Sequence, residues 1–228
     1  MKRMRALLLA LFAAWAAASG AAALAADSKF EHLAVRLEQN ATDGDFEIVF
    51  EATGGDTGLA SLKVTAPDGR TVLEFAAPNS KLGIRTIRLE TPEPKTLASL
   101  QADFPAGAYT FRASTVAGTS FSGSASLSHK LPGVATLIRP RSGEANVPIS
   151  GLQMKWAAPN NLSSCLVAIE HDESGVKVAQ AVLAGGARAY HVPDGVLLPG
   201  TRYKVSIGTV VVEGNASFVE TAFTTAKK

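Results

Sequence analysis

The segment Leu197-Leu198-Pro199-Gly200-Thr201-Arg202-Tyr203, followed about twenty residues later by Phe223-Thr224-Thr225, constrains this chain more than any other stretch. A Leu, a Pro-Gly turn and a Tyr in that register suit a corner where a loop climbs into a strand. Such a corner buries the ring and lets the hydroxyl hydrogen-bond back to the upstream backbone. The segment therefore speaks to fold and is silent on activity.

Around it the second half reads as short strands separated by turns: residues 152–156, 165–170, 176–183, 189–192, 203–212 and 217–225. The run 207–212 is long and apolar. A central strand explains it, since on an exposed edge it would invite aggregation. Trp156 is expected as a packed core ring rather than a sugar-stacking platform. The first half shows the same short alternations at 30–38, 45–53, 59–65, 71–75 and 84–89. Pro67-Asp68-Gly69 lies between two of them as a hairpin signal, which makes Asp68 a turn residue rather than a metal ligand. Leu97, Leu100 and Phe104, at spacings of three and four, predict a short helix. Next comes Phe104-Pro105-Ala106-Gly107-Ala108-Tyr109, which repeats the Pro, Gly, Tyr order in degenerate form. Tyr109 is thus the expected counterpart of Tyr203. Between the halves, the strand pattern stops at Ser128-His129-Lys130-Leu131-Pro132-Gly133, a short connection that favours a semi-rigid tandem.

Residues 134–226 resemble a fibronectin type III domain, on the Leu197-to-Tyr203 corner, the closing Phe223-Thr224-Thr225 and the placement of Trp156. The first half is similar to a looser immunoglobulin-like sandwich, and the whole resembles uncharacterised bacterial exported proteins. The expected fold is all-β: two tandem immunoglobulin/fibronectin type III-like β-sandwiches after a cleaved signal peptide. The expected boundaries are a signal at 1–26, an immunoglobulin-like sandwich at 27–130, a linker at 131–133 and a fibronectin type III-like sandwich at 134–228. What the resemblance implies is a binding or scaffolding role.

The signal is read from Lys2, Arg3 and Arg5, then an apolar run from Ala6 to Ala18, then small residues ending Ala25-Ala26. Ser19-Gly20 breaks that run before it reaches spanning length. Losing the three cations takes the 22 Lys and Arg to 19 against 20 Asp and Glu, a formal charge of −1. An overall charge near neutral gives no support for a nucleic-acid partner. One cysteine, Cys165, cannot close an internal disulfide and sits in a strand-like run, where it is expected as a small buried hydrophobe. A lone Cys with an Ala-rich leader fits a bacterial periplasmic or secreted protein, with no transmembrane segment in the mature chain.

Catalytic constellations are not evident. His32, His129, His171 and His191 are spread over separate elements without the close pairs of a zinc site. His171-Asp172-Glu173 alternate in direction on an extended strand and read as a solvated hairpin tip. Glu90 with Glu93, and Asp43 with Asp45, could serve a hydrolase or calcium but also suit the rim of a sandwich. Gly54-Gly55-Asp56-Thr57-Gly58 lacks the Lys and the helix of a phosphate cradle. Asn40, Asn161 and Asn215 match the glycosylation pattern and are read as turn residues. Catalytic, cofactor-binding and metal residues are therefore expected to be none. Lys130, Arg139 and Arg141 gather near the domain junction, either as an interdomain salt-bridge region or as an anionic-ligand cleft. Arg85 and Arg88 differ by three and face opposite sides. The expected function is an exported, non-enzymatic binding or scaffold protein contacting another protein or envelope component. The alternative is a carbohydrate-binding or accessory module of an extracellular hydrolase system.

Overall fold

Period-two alternation decides which side chains enter the core. In β1 (His32–Asn40), Val35 and Leu37 turn inward and are buried, while Arg36 and Glu38 turn to the opposite face. The computed structural model describes residues 29–94 and 96–228, so the expected signal at 1–26 lies outside the described residues. The remaining elements of the first half are β2 (Asp45–Thr53), β3 (Leu59–Thr65), β4 (Thr71–Ala76), β5 (Thr86–Glu90), α1 (Leu97–Asp103), β6 (Gly107–Thr115) and β7 (Ser120–Leu127). The second half contains β8 (Thr136–Arg139), β9 (Gln153–Ala157), β10 (Ser164–His171), β11 (Lys177–Ala184), β12 (Ala189–His191), β13 (Arg202–Val210) and β14 (Ala216–Thr224).

Both halves use one strand plan. In the first, β1, β2 and β5 are neighbours, and β4-β3-β6-β7 form the facing sheet. In the second, β12-β9-β8 face β11-β10-β13-β14. Each pair of layers encloses its own apolar cluster. One is built around Leu37, Ile48, Leu62, Tyr109 and Phe111, the other around Trp156, Cys165, Ile169, Tyr203 and Phe223. The fold is all-β, with sandwiches of the immunoglobulin/fibronectin type III type. The first half, expected as the looser of the two, follows the same three-plus-four order as the second. β13 is a central strand between β10 and β14, which accounts for its apolar run. β7 escapes the strand pattern in the sequence because Ser and Gly dominate it, yet it pairs with β6 from Gly107↔Leu127 to Ser114↔Ser120.

The halves are more than tethered. β14 pairs in parallel with β1 through Glu38↔Ala216, Gln39↔Ser217 and Asn40↔Phe218, which fuses two sheets into one of seven strands, β11-β10-β13-β14-β1-β2-β5. The connection at 128–133 is clamped beneath this seam. Asn215, only 1% exposed, accepts the Leu37 N–H through Oδ1 at 2.9 Å. Its Nδ2 lies 2.9 Å from the Ser128 carbonyl and 3.0 Å from the Lys130 carbonyl. The Ser217 hydroxyl donates to the Pro132 carbonyl at 2.8 Å, and Thr209 Oγ1 lies 2.9 Å from the Gly133 carbonyl. On the far side of the seam, the Glu220 N–H donates to Thr42 Oγ1 at 2.7 Å. Buried polar groups persist only when paired, so these contacts fix the register of one half on the other. Asn215 is therefore a junction clasp rather than only a turn residue.

Candidate functional site

One face of the seven-stranded sheet is turned away from both cores and crosses the seam without interruption. On its β10–β14 part a single row of cross-strand neighbours runs Val182, Leu166, Gly208, Phe218. Gly208 lacks a side chain because Phe218 occupies the space above it; a Cβ there would stand 2.5 Å from Phe218 Cε1 and 3.1 Å from Leu166 Cβ. The ring over a strand glycine makes the row continuous and apolar.

Beyond the seam the same face becomes ionic. Arg36 on β1 reaches Glu38 at 2.8 Å and Glu51 at 2.7 Å, and Arg88 on β5 reaches Glu51 at 2.7 Å and Glu90 at 2.6 Å. His32 Nε2 adds a contact of 3.0 Å to Glu51. Val49, on the outward side of β2 between these strands, is wholly buried. Burial works against the charge on Glu51, yet Arg88, Arg36 and His32 hold its carboxyl below the usual range. Burial likewise works against Arg88, and its Glu51, Glu38 and Glu90 partners outweigh it, raising its pKa. Where apolar row and ionic lattice meet, a groove of about 470 Å³ opens between Arg36, Glu38 and Arg88 on one wall and Leu166, Val182 and Phe218 on the other. A concave wall that is part apolar and part fixed charge can hold an extended or amphipathic surface.

Next to this groove is an acidic hollow of about 170 Å³ lined by Glu38, Asp45, Glu47, Glu93 and Glu220. Glu47 stands directly across from Glu38 in the β1–β2 ladder. Burial, then Glu90, Glu38 and Glu93, push its pKa up to about 7. Among the described residues, no group of three or more His, Cys, Asp or Glu is placed to hold a metal ion.

The expected basic group at the junction does not assemble. The Lys130 carbonyl binds Asn215, beside the start of β14. Arg139 and Arg141 line a separate surface hollow of about 510 Å³ with Ile138, Glu144 and Lys155. That hollow is near the other end of β14, where the Gly143 N–H donates to the Ala222 carbonyl at 2.8 Å. An extended strand rises ~3.3 Å per residue, so six residues of β14 put Lys130 roughly 20 Å from the arginines. Arg85 and Arg88 diverge as expected, Arg85 pairing with Asp56 at 3.3 Å.

The four histidines also stay apart. His129 Nε2 lies 2.9 Å from the Phe104 carbonyl, His171 packs its ring 4.8 Å from that of Tyr203, and His191 meets Gln153. Asp68 Oδ1 accepts the Arg70 N–H at 3.1 Å and closes a turn, with Gly69 at φ 87°. Cys165 and Trp156 are buried in the second core. The groove residues Arg36, Glu38, Leu166 and Phe218 were not singled out from sequence. They become neighbours only through the parallel β1–β14 pairing, which joins positions 178 residues apart.

No family model matches the chain, and no curated protein matches it. Among solved structures it is similar to the Clostridium thermocellum CbhA fibronectin(III)-like modules, at 12% identity and a TM-score of 0.33, covering 86% of this chain and 94% of that one. A two-domain fibronectin type III segment of chicken tenascin is similar at 15% identity and a TM-score of 0.32, covering 86% and 99%. A tetra-tandem repeat from the extending region of a large adhesion protein gives 18% identity and 0.32, covering 86% of this chain and 50% of that one. Strand order and the two apolar clusters define the fold as a tandem of immunoglobulin/fibronectin type III-like sandwiches.

Proposed function

We propose that this chain is an exported, non-enzymatic binding or scaffold protein whose partner, a protein or envelope component, docks on the outward face of the seven-stranded sheet. The observation that carries this reading is the groove at the seam, with its Leu166, Val182 and Phe218 wall opposite the Arg36, Glu38 and Arg88 wall. Neither half supplies both walls, so the tandem is the working unit. The polypeptide divides into a signal at 1–26, sandwiches at 27–130 and 134–228, and a linker at 131–133; export to the periplasm or beyond rests on the leader. Among the described residues, no helix is long and apolar enough to cross a membrane. The hollow with Arg139 and Arg141 is a separate contact region on the same scaffold.

The test is affinity capture from an envelope extract with wild type and a Leu166→Glu variant, which places a carboxylate on the apolar wall. A partner held by the wild type and lost from the folded variant supports the reading. Equal retention by both removes the groove as the contact, and glycan-array binding without protein capture replaces the reading by carbohydrate recognition.

A further inference from the structure

β11 ends the seven-stranded sheet, pairing with β10 on one side and with no described strand on the other. An edge strand offers outward backbone N–H and C=O groups to any extended chain, and proteins blunt such edges with charge, proline, brevity, bulges or cover. The other sheet ends of this molecule are blunted. β5 carries Arg88 and Glu90 and leads into Pro92 and Pro94, while β8 and β12 have four and three residues. β4 bears Glu74, and β7 is rich in serine and interrupted by Gly123. β11 has Lys177 and a register shift at its start, and thereafter residues 178–184 contain no charge, proline or glycine. Val182, on the outward face, is 75% exposed.

The same strand is palindromic. Val178-Ala179-Gln180-Ala181-Val182 reads identically in both directions. We propose that β11 joins β11 of a second copy of this chain, edge to edge and antiparallel, about a two-fold axis at Gln180. In that register Gln180 faces its own equivalent and Ala179 faces Ala181, so polar meets polar and small apolar meets small apolar, while the bulge turns Val178 toward the core of its own copy. Small alanines on both sides of the axis let the backbones reach ladder distance. Each Lys177 falls opposite Leu183 of the other copy, which separates the two ammonium groups by roughly 20 Å, six residues at ~3.3 Å each. The strand's one charge therefore does not oppose itself, whereas a charged peptide from another protein finds no counter-charge along 178–184. The pairing makes one continuous sheet of the two and sets both grooves on the same side.

Sedimentation velocity on the purified chain over a concentration series tests this, with Gln180→Lys, Gln180→Glu and their equimolar mixture alongside. Wild type shows a dimer that grows with concentration. Each variant dimerises about tenfold more weakly or worse, because like charges meet on the axis, and the mixture recovers the dimer. A wild type that stays monomeric to millimolar concentration overturns the proposal, as does a dimer unaffected by Gln180→Lys. Gln180 is exposed, so circular dichroism of both variants should match wild type. Oxidised Gln180→Cys provides a second reading: a disulfide-linked dimer supports the register, since directly opposed strand residues lie within bridging distance, and its absence counts against it. Loss of partner capture in Leu166→Glu leaves the dimer intact, so the two readings fail separately.

Discussion

The two corners solve one problem with different atoms. In the second half the Tyr203 hydroxyl accepts the Leu198 N–H at 2.8 Å, and Tyr203 stacks on Phe223 at 5.7 Å. Thr225 Oγ1 then donates to the Leu198 carbonyl at 2.6 Å and accepts the Thr201 N–H at 2.9 Å. The corner is thus tied directly to the end of β14. In the first half the Tyr109 hydroxyl donates to the Pro105 carbonyl at 3.0 Å, and its ring packs 6.0 Å from Phe50, itself 5.9 Å from Phe104. That corner is tied to the segment just after β7 by His129, whose Nε2 lies 2.9 Å from the Phe104 carbonyl. The first half closes in addition at the seam, where β1 rests on β14. The difference teaches that the second sandwich fastens its corner to its last strand through a threonine hydroxyl, whereas the first uses a histidine ring just beyond β7 and takes the second sandwich's last strand as a further neighbour.

The seam is accordingly the place where the comparison breaks most severely. Asn215→Ala leaves the Leu37 N–H and the carbonyls of Ser128 and Lys130 without their side-chain partner in a buried setting. At one to three kcal/mol for each unsatisfied buried group, with partial relaxation, the loss is about 3 kcal/mol. Chemical denaturation can follow Trp156 fluorescence for the second core and circular dichroism for both. Wild type should give coincident transitions and Asn215→Ala should separate them. Coincident and unshifted curves in the variant would show that the halves do not depend on the clasp.

Tyr203→Phe and Tyr109→Phe sharpen the contrast between the corners. Loss of the Tyr203 hydroxyl orphans an N–H donor and should cost about 1.5 kcal/mol, whereas loss of the Tyr109 hydroxyl frees a carbonyl and should cost about 0.7 kcal/mol, since under-satisfied carbonyls are better tolerated. Urea midpoints at fixed slope would measure both. A larger loss from Tyr109→Phe than from Tyr203→Phe would invert the ranking.

What the sequence made legible were features with a local cause. The alternation at 45–53 and 59–65 coincides with β2 and β3, and the 97, 100, 104 spacing coincides with α1. The Pro-Gly-Tyr order located both corners, and the isolation of Cys165 and Trp156 from any partner pattern matched their burial. The groove was hidden for a physical reason. Arg36, Glu51 and Arg88 look like ordinary outward charges on separate strands, and Phe218 like an ordinary alternation, until β14 is laid beside β1. Parallel pairing between distant strands leaves no periodic trace in either one. Asn215 was misread for the same cause: its local neighbours form a turn, while its hydrogen bonds go to residues 37, 128 and 130. Grouping Lys130 with Arg139 and Arg141 assumed that closeness in sequence survives folding, and the extended rise of β14 separates them.

The smallest effect is a pH dependence confined to the first half's side of the seam. Burial, with Glu90, Glu38 and Glu93 nearby, raises the Glu47 pKa from 4.5 to about 7 in the folded chain. Between those two values the unfolded chain has released this proton and the folded chain still holds it. Stability from this group is therefore full below pH 4.5 and is lost as pH rises through about 7. Glu47→Gln keeps the side chain neutral at every pH and removes that loss. The variant should match wild type near pH 4.5 and exceed it in melting temperature at pH 8, with the gap opening between. Glu51, whose pKa is lowered, contributes in the opposite direction in both proteins and cancels from the difference. A gap that is constant with pH would mean that Glu47 ionises normally against Glu38, and the acidic hollow would then be open to water rather than closed by the seam.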